Sequence, residues 1–198
     1  MARPKYEANS LHAREALIHA FWECLEQEAL KDISVLGICR RAHLNRNTFY
    51  YHFETMEDMI DAAVSETLSF DVAMMLAIRP ATNPLDLVSA FEGEGMKERF
   101  DHVVLLAGKN STVALQEKLK DSLRAVWYEV LGVRESDVSQ EEKLELEFCL
   151  GGIMALLAMK SRTGDEIAVG DYLGTPFFKR VLAHIDSIAC KQGRSGGL

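Results

Sequence analysis

The chain contains few of the residues that interrupt helices or cross-link a backbone. It has 4 prolines and 13 glycines among 198 residues, and the long segments between them are rich in Leu, Ala, Glu and Met. This composition favours an all-α protein. The cysteines lie far apart, without a close pair or a metal-ligand spacing, at Cys24, Cys39, Cys149 and Cys190. We therefore expect reduced thiols in a cytoplasmic protein that holds no metal and no cofactor.

Long apolar runs are scarce as well. A membrane-spanning helix needs about 20 apolar residues, and the nearest stretch, Gly151–Met159, is too short. The first residues include two basic side chains but no apolar segment of the kind that a secretory signal contains. We expect neither a membrane span nor a cleaved signal peptide.

Positive charge is sparse and unevenly placed. The net charge is −8, yet residues 1–53 hold seven basic and six acidic side chains, which leaves −9 for the remainder. An acidic surface repels the phosphates of nucleic acids. Any contact with DNA must therefore be made by the N-terminal segment.

Residues 45–53 carry the most informative pattern. Asn45 is a good N-cap whose side-chain oxygen can accept from the N–H of Thr48. On a helix of about 3.6 residues per turn, Phe49 and Phe53 fall on one side, where they form a buried aromatic anchor. The opposite side offers groups that bond base edges and phosphates, which is what a DNA recognition helix needs: Arg46, Asn47, Thr48 and Tyr51.

A second short helix precedes this one, over residues 34–41, with Ser34 as its N-cap. His43 and Leu44 then form the short turn that a helix-turn-helix requires, and His43 occupies the position where left-handed backbone is common. The side chains that we expect this helix to bury are Leu36, Ile38 or Cys39, and Ala42.

At this point the chain resembles the tetracycline-repressor (TetR) family. The resemblance runs from Arg14 to about Val64, and its most specific part is the run of aromatics and histidine that ends in Phe53. One position departs from the family pattern: Met56 stands where a lysine usually opens the fourth helix and meets a DNA phosphate. The residues that the resemblance and the helical pattern together assign to DNA binding are Ser34, Asn45, Arg46, Asn47, Thr48, Tyr50, Tyr51 and His52.

The expected architecture is a three-helix head over residues 1–55 and a helical ligand-binding and dimerisation body over 79–198, joined by a fourth helix over about 55–78. The first helix is predicted from about Ser10 to Gln27, and Thr55 with Asp58 forms a capping box for the fourth. Further helices are predicted at about 84–92, 95–107, 111–131, 139–161 and 175–191.

The last two helices carry apolar stripes with small residues at the centre of the first. Such stripes either pack on their own subunit's core or form a four-helix bundle with a second subunit. Periodicity alone favours the first reading, and the family resemblance favours the second. The expected dimer interface is Phe148, Gly152, Ala155, Phe178, Val181, Ile185 and Ile188.

Large soft side chains elsewhere in the body predict an apolar effector cavity, although such residues are more often plain core. The predicted lining is Phe91, Met96, Phe100, His102, Trp127, Tyr128 and Phe148. His19 and Glu23 have a spacing that can ligate a metal, but no third ligand accompanies them, and a solvated helix face is the better reading.

We therefore predict a sequence-specific transcriptional regulator that binds a palindromic operator as a homodimer. By resemblance, it is a repressor that a small-molecule effector releases. An activator or co-regulator that grips a protein partner is the alternative within the same class. A helical enzyme is the alternative from another class, and we disfavour it because no pattern positions a nucleophile, a metal or a cofactor.

Overall fold

The computed structural model describes residues 4–68, 95–131, 134–163, 175, 176, 179–181, 183, 184 and 187, with the backbone alone at 4–10, 96, 130 and 131. Every regular element in this part of the chain is a helix, which confirms the predicted all-α fold. The helices are α1 (Pro4–Gln27), α2 (Val35–Arg41), α3 (Arg46–His52), α4 (Met56–Thr67), α5 (Met96–Ala107), α6 (Val113–Leu131) and α7 (Gln140–Thr163). Short 3-10 turns lie at Leu30–Asp32 and Glu135–Asp137, and helical backbone recurs within 176–187.

The chain divides into two compact units. The first combines Met1–Glu66 with Lys109–Thr112, and the second combines Thr67–Gly108 with Val113–Leu198. The division at Glu66 falls inside the fourth helix, where the sequence predicted a connector over about 55–78. Residues 69–78 of that predicted helix, and the whole of the one at 84–92, lie outside the described residues.

The first unit is organised by the apolar stripe of α1. Leu17, Phe21 and Leu25 are spaced four residues apart and are fully buried. The helix packs against α2 and α3, where Ile38 and Phe49 are also fully buried. Burial of each such side chain stabilises a fold by roughly 1.5–3 kcal/mol. Two helices of seven residues, too short to persist alone, are held by this core.

Two expectations for the first unit need correction. The helix α1 begins at Pro4 rather than at about Ser10, and proline is favoured at the first helical position because its missing N–H has no partner there. The side chain of Leu36 is 43% exposed, although the sequence predicted it to be buried. The buried side of α2 carries Ile38 and Cys39, and Leu36 is rotated away from that line.

The second unit is built on the packing of α5, α6 and α7. Its fully buried side chains include Leu106 on α5, Leu119 on α6 and Leu150 on α7, and Trp127 is 2% exposed. A carboxylate network joins α6 to α7 at the edge of this core. Lys120 Nζ lies 2.7 Å from Glu147 Oε2, and the Nε–H of Arg124 donates to Glu147 Oε1 at 2.6 Å.

In the described part of the chain, no helix is both long and apolar enough to cross a membrane, and no group of three potential metal ligands occurs. Cys24, Cys39 and Cys149 are free thiols. Burial raises the pKa of each. Cys190 lies outside the described residues.

The network around Glu147 predicts a change in acid stability. The hydrogen bonds from Lys120, and next those from Arg124, hold the pKa of Glu147 below its usual value. A depressed folded-state pKa contributes stability that is present above the unfolded-state pKa and is lost as the pH falls through the folded-state pKa. Glu147→Gln should therefore lower the free energy of unfolding at pH 7 by about 1 kcal/mol or less, because the pair is partly exposed.

The same substitution should flatten the acid limb below about pH 4.5 in denaturant unfolding followed by circular dichroism. Glu117→Gln, on the exposed side of α6, is the matched control and should leave both quantities unchanged. Equal effects of the two substitutions would show that the network contributes nothing beyond a surface charge.

Candidate nucleic-acid interface

The turn between α2 and α3 is closed by backbone hydrogen bonds and one left-handed residue. His43 has a φ of 55°, as its position in the turn predicted. The N–H of His43 donates to Arg40 O at 3.2 Å, and that of Leu44 donates to Cys39 O at 2.9 Å. These bonds satisfy the terminal carbonyls of α2 and direct the chain into α3 within a few residues, as a helix-turn-helix requires.

Both predicted N-caps are present. Asn45 Oδ1 accepts from the Thr48 N–H at 2.9 Å and from the Thr48 hydroxyl at 3.2 Å. Ser34 Oγ accepts from the Gly37 N–H at 3.1 Å and so caps α2. Asn45 and Thr48 therefore hold each other in place at the start of α3, while the Ser34 hydroxyl keeps its hydrogen for another acceptor.

The inner side of α3 is anchored by aromatic contacts. Phe49 is fully buried, and its ring centroid lies 5.6 Å from that of Phe53. The Arg14 guanidinium lies 5.5 Å from the Phe53 ring centroid and also bonds the carboxylate of Glu66. The aromatic pair predicted from the sequence is thus held from α1 and from the end of α4, and it fixes the rotation of α3.

The outer side of α3 is exposed. Arg46 and Asn47 lie on the surface, and Tyr50 and Tyr51 are 51% and 64% exposed. His52 is half-buried in an edge-to-face contact with Tyr51, at 4.9 Å between ring centroids. Burial, and next the charge of Arg14, lower the pKa of His52 and so favour the neutral imidazole. The surface offers one guanidinium, one carboxamide and two phenols on a rigid support.

Two exposed side chains of α2, the helix that precedes α3, were not assigned to this surface from the sequence. Leu36 and Arg40 lie four residues apart, which places both on one side of α2, and both are exposed. Leu36 was missed because an aliphatic residue in an amphipathic segment indicates core. The pattern that could have identified it is the apolar pair Ile38 and Cys39. If these two residues form the buried side of α2, Leu36 lies outside it.

The N-terminus of α4 is closed by its own side chains. The N–H of Thr55 donates to Asp58 Oδ2 at 2.9 Å, and the N–H of Asp58 donates to Thr55 Oγ at 3.1 Å, which confirms the predicted capping box. Glu54 and Glu57 are exposed on either side of Met56. The start of α4 therefore presents carboxylates, and the N–H groups of Thr55 and Asp58 are already bonded.

Comparison with protein-family models bears on the same part of the chain. Residues 17–63 match the family described as bacterial regulatory proteins, tetR family. The match spans the buried stripe of α1, both helices of the helix-turn-helix and the first part of α4. Over these residues the chain is similar to the N-terminal domain of TetR-family proteins. No curated protein sequence matches the chain.

Three solved structures are similar to the chain at low sequence identity. A transcriptional regulator from Rhodococcus sp. Rha1 is similar with a TM-score of 0.50 at 16% identity, over 88% of this chain and 95% of that one. A TetR family protein from Vibrio parahaemolyticus gives 0.47 at 10% identity, over 86% and 97%. The TetR family repressor AlkX from a Dietzia strain gives 0.45 at 13% identity, over 89% and 96%.

Of the predicted dimer-interface residues, Phe148, Gly152, Ala155 and Val181 are described, and the first three lie on an exposed face of α7. Phe148 is 79% exposed, and Gly152 and Ala155 are exposed one and two turns further on. Phe178, Ile185 and Ile188 lie outside the described residues. Phe148 borders a groove of about 510 Å³ whose lining is Glu141, Leu144, Glu145, Phe148, Cys149, Arg180, Val181 and His184. In this groove His184 Nε2 lies 2.9 Å from Glu145 Oε2.

The predicted effector-cavity residues are not all in one environment. Phe100 and Trp127 are buried, and His102 and Tyr128 are half-buried. Burial, and next the charge of Glu135, raise the pKa of Tyr128. Phe91 and the side chain of Met96 lie outside the described residues. Phe148, which the sequence assigned to the cavity and to the dimer interface alike, borders the open groove.

Arg46 is an exposed cation at the start of α3, where the sequence predicts a contact with base edges. Arg46→Ala should weaken binding to the true operator by roughly 1–3 kcal/mol and relax the preference at one base position. Competition binding with operators substituted at each position measures both effects. Equal weakening on all sequences would make Arg46 a phosphate contact.

A substitution at Met56 should change the affinity for DNA. Met56→Lys adds a cation at the family's phosphate-contact position, so it should tighten binding to operator and random DNA alike. The log–log salt dependence should steepen by about 1 per head. Lys31→Met, an exposed residue in the 3-10 turn, reports the effect of losing a lysine elsewhere on this unit. A salt slope that Met56→Lys leaves unchanged would show that position 56 does not face the DNA backbone.

Proposed function

We propose that the chain is a TetR-family repressor that binds a palindromic operator as a homodimer and leaves it when a small molecule binds the second unit. The observation that carries the proposal is the exposed outer side of α3, held rigidly by Asn45 and Phe49 within the matched domain. A repressor that acts on chromosomal DNA works in the cytoplasm. No catalytic role is needed to account for these groups.

The proposed readout divides the exposed side chains by their chemistry. Arg46, Asn47 and Tyr51 reach base edges, since a guanidinium and a carboxamide bond purines in the major groove. Ser34 and Tyr50 donate hydroxyl hydrogens to phosphate oxygens, and Thr48 and His52 also contact the phosphate backbone of that DNA strand. Phosphate contacts fix the register of α3, and base contacts supply the sequence preference.

We propose dimerisation because α3, the helix proposed to contact the bases, is short. A helix of seven residues contacts only a few base pairs, so specific binding needs two copies on half-sites about 34–36 Å apart. The exposed apolar face of α7 around Leu144 and Phe148, 64% and 79% exposed, is the surface that we assign to the second subunit. In a bundle of four helices the exposed Gly152 and Ala155 permit close approach of the axes.

The proposed effector acts on the spacing of the two α3 helices. A ligand that binds one arrangement of the dimer more tightly shifts the population toward it, and heads that no longer match successive major grooves lose the operator. The exposed face around Phe148 also suits a protein partner, which supports the activator or co-regulator as the second candidate.

Operator binding tests the proposal directly. The purified full-length chain should select palindromic fragments from a random DNA library, with two bound copies per site and an affinity that falls as salt rises. A regulator of this kind discriminates its operator from random DNA by about 10³–10⁷-fold. Failure to enrich any sequence, with the helical fold intact, would overturn the assignment.

The assembly prediction uses a side chain that the fold of one subunit does not need. Phe148→Glu places a charge on the proposed interface, where burial of an unpaired charge is costly. Because Phe148 is 79% exposed, the fold of the subunit should survive, and the dimer and operator binding should be lost together. Val113→Glu, at a position 76% exposed on α6, is the matched control.

For both variants, sedimentation measures dimerisation and circular dichroism measures whether the helical fold is retained. A Phe148→Glu protein that stays dimeric and binds the operator normally would move the interface elsewhere. A Phe148→Glu protein that still binds the operator as a dimer but no longer alters transcription would favour the alternative, in which this face binds a protein partner.

A further inference from the structure

A turn from the second half of the sequence completes the DNA-binding unit. Lys109–Thr112 belongs to the first compact unit, although the helices before and after it belong to the second. The contact is made by Asn110, whose side-chain N–H₂ donates to Leu25 O at 2.8 Å and to Glu26 O at 3.1 Å. Its backbone oxygen accepts from the N–H of Leu30 at 2.8 Å.

The two side-chain bonds lie at the C-terminal end of α1. The last carbonyls of a helix have no partner within the helix and form the negative end of its dipole. The carboxamide of Asn110 supplies two donors to two successive carbonyls, a task for which a carboxylate is unsuited. Asn110 therefore acts as a C-cap that is supplied from 84 to 85 residues away in the sequence.

The third bond extends this support toward the proposed DNA contacts. Leu30 begins the 3-10 turn Leu30–Asp32, and the chain then passes through the buried Ile33 to Ser34, the N-cap of α2. The end of α1 and the start of α2 are therefore fixed by one residue. Displacement of this turn would shift Ser34, which is proposed to hold a phosphate, and with it the helix on which α3 packs.

We propose that Asn110 is a positioning residue for DNA binding, which fixes the end of α1 and the Leu30–Asp32 turn so that α2 and α3 meet the operator together. This role rests on the proposed operator binding. It also makes the DNA-binding unit discontinuous in sequence, because Met1–Glu66 alone lacks the cap.

Two substitutions in the full-length protein test the role. Asn110→Ala removes both side-chain donors and should weaken operator binding about tenfold at pH 7.5, the order expected for one to two lost hydrogen bonds. Asn110→Asp should weaken it further, because a carboxylate then faces carbonyl oxygens at the negative end of α1. Dimerisation and overall helicity should be retained by both variants.

A fall in pH should change the operator affinity of these two variants differently. The introduced carboxyl group is forced toward its neutral form by the carbonyls around it, and the neutral form can donate one hydrogen bond. Operator affinity of Asn110→Asp relative to Asn110→Ala should therefore rise as the pH falls from 7.5 to 5.0, with both measured beside the unsubstituted chain. A loss of packing alone gives no such recovery.

Amide hydrogen exchange supplies a readout that does not depend on DNA. The N–H groups of Leu30 and Gly37 should exchange faster in Asn110→Ala, because each reports on the segment that the cap holds. Leu119→Ala, a fully buried residue of the second unit, is the control for destabilisation alone and should leave these two amides protected.

The outcomes are distinct. The role is overturned if Asn110→Ala binds operator as well as the unsubstituted chain, or no worse than Leu119→Ala. It is also overturned if the pH leaves the ratio of the two Asn110 variants unchanged. An unsubstituted chain that selects no DNA overturns the proposed function and this role together.

Discussion

The burial of Phe49 is the contact on which the proposed DNA-binding surface depends. The helix that carries it has only seven residues, and isolated helices shorter than about 12–15 residues are marginal in water. Phe49 holds α3 against the unit's core, Phe53 extends the anchor, and Asn45 closes the helix start. The exposed side chains of α3 gain their orientation from this arrangement, because a helix held along one side cannot rotate.

Local rules were sufficient wherever the contacts are local. The caps at Ser34, Asn45 and Thr55 and the left-handed backbone at His43 each depend on residues within a few positions, and all were predictable. The bounds of α5, α6 and α7 were also predicted closely, since glycines and polar loops mark their ends. The family resemblance suggested the proposed function, which no single spacing establishes.

Contacts between distant residues were not predictable in the same way. Leu36 was assigned to the core because it is aliphatic, and only the packing of α2 shows which line of side chains is buried. The network of Glu147 with Lys120 joins two helices whose facing sides the sequence does not specify. Nothing in the sequence around Asn110 indicates that it caps α1, because the two partners are 84 to 85 residues apart.

The remote cap has a consequence for synthesis of the chain. All four helices of the first unit have been translated once Thr67 is made, yet the unit is complete only when Thr112 has followed. At about 5–20 residues per second, this delay is roughly 2–9 s. During that interval the nascent head lacks the partner for the end of α1 and exposes the carbonyls of Leu25 and Glu26. Synonymous codon changes between α4 and the turn would lengthen or shorten this period without altering the protein that results.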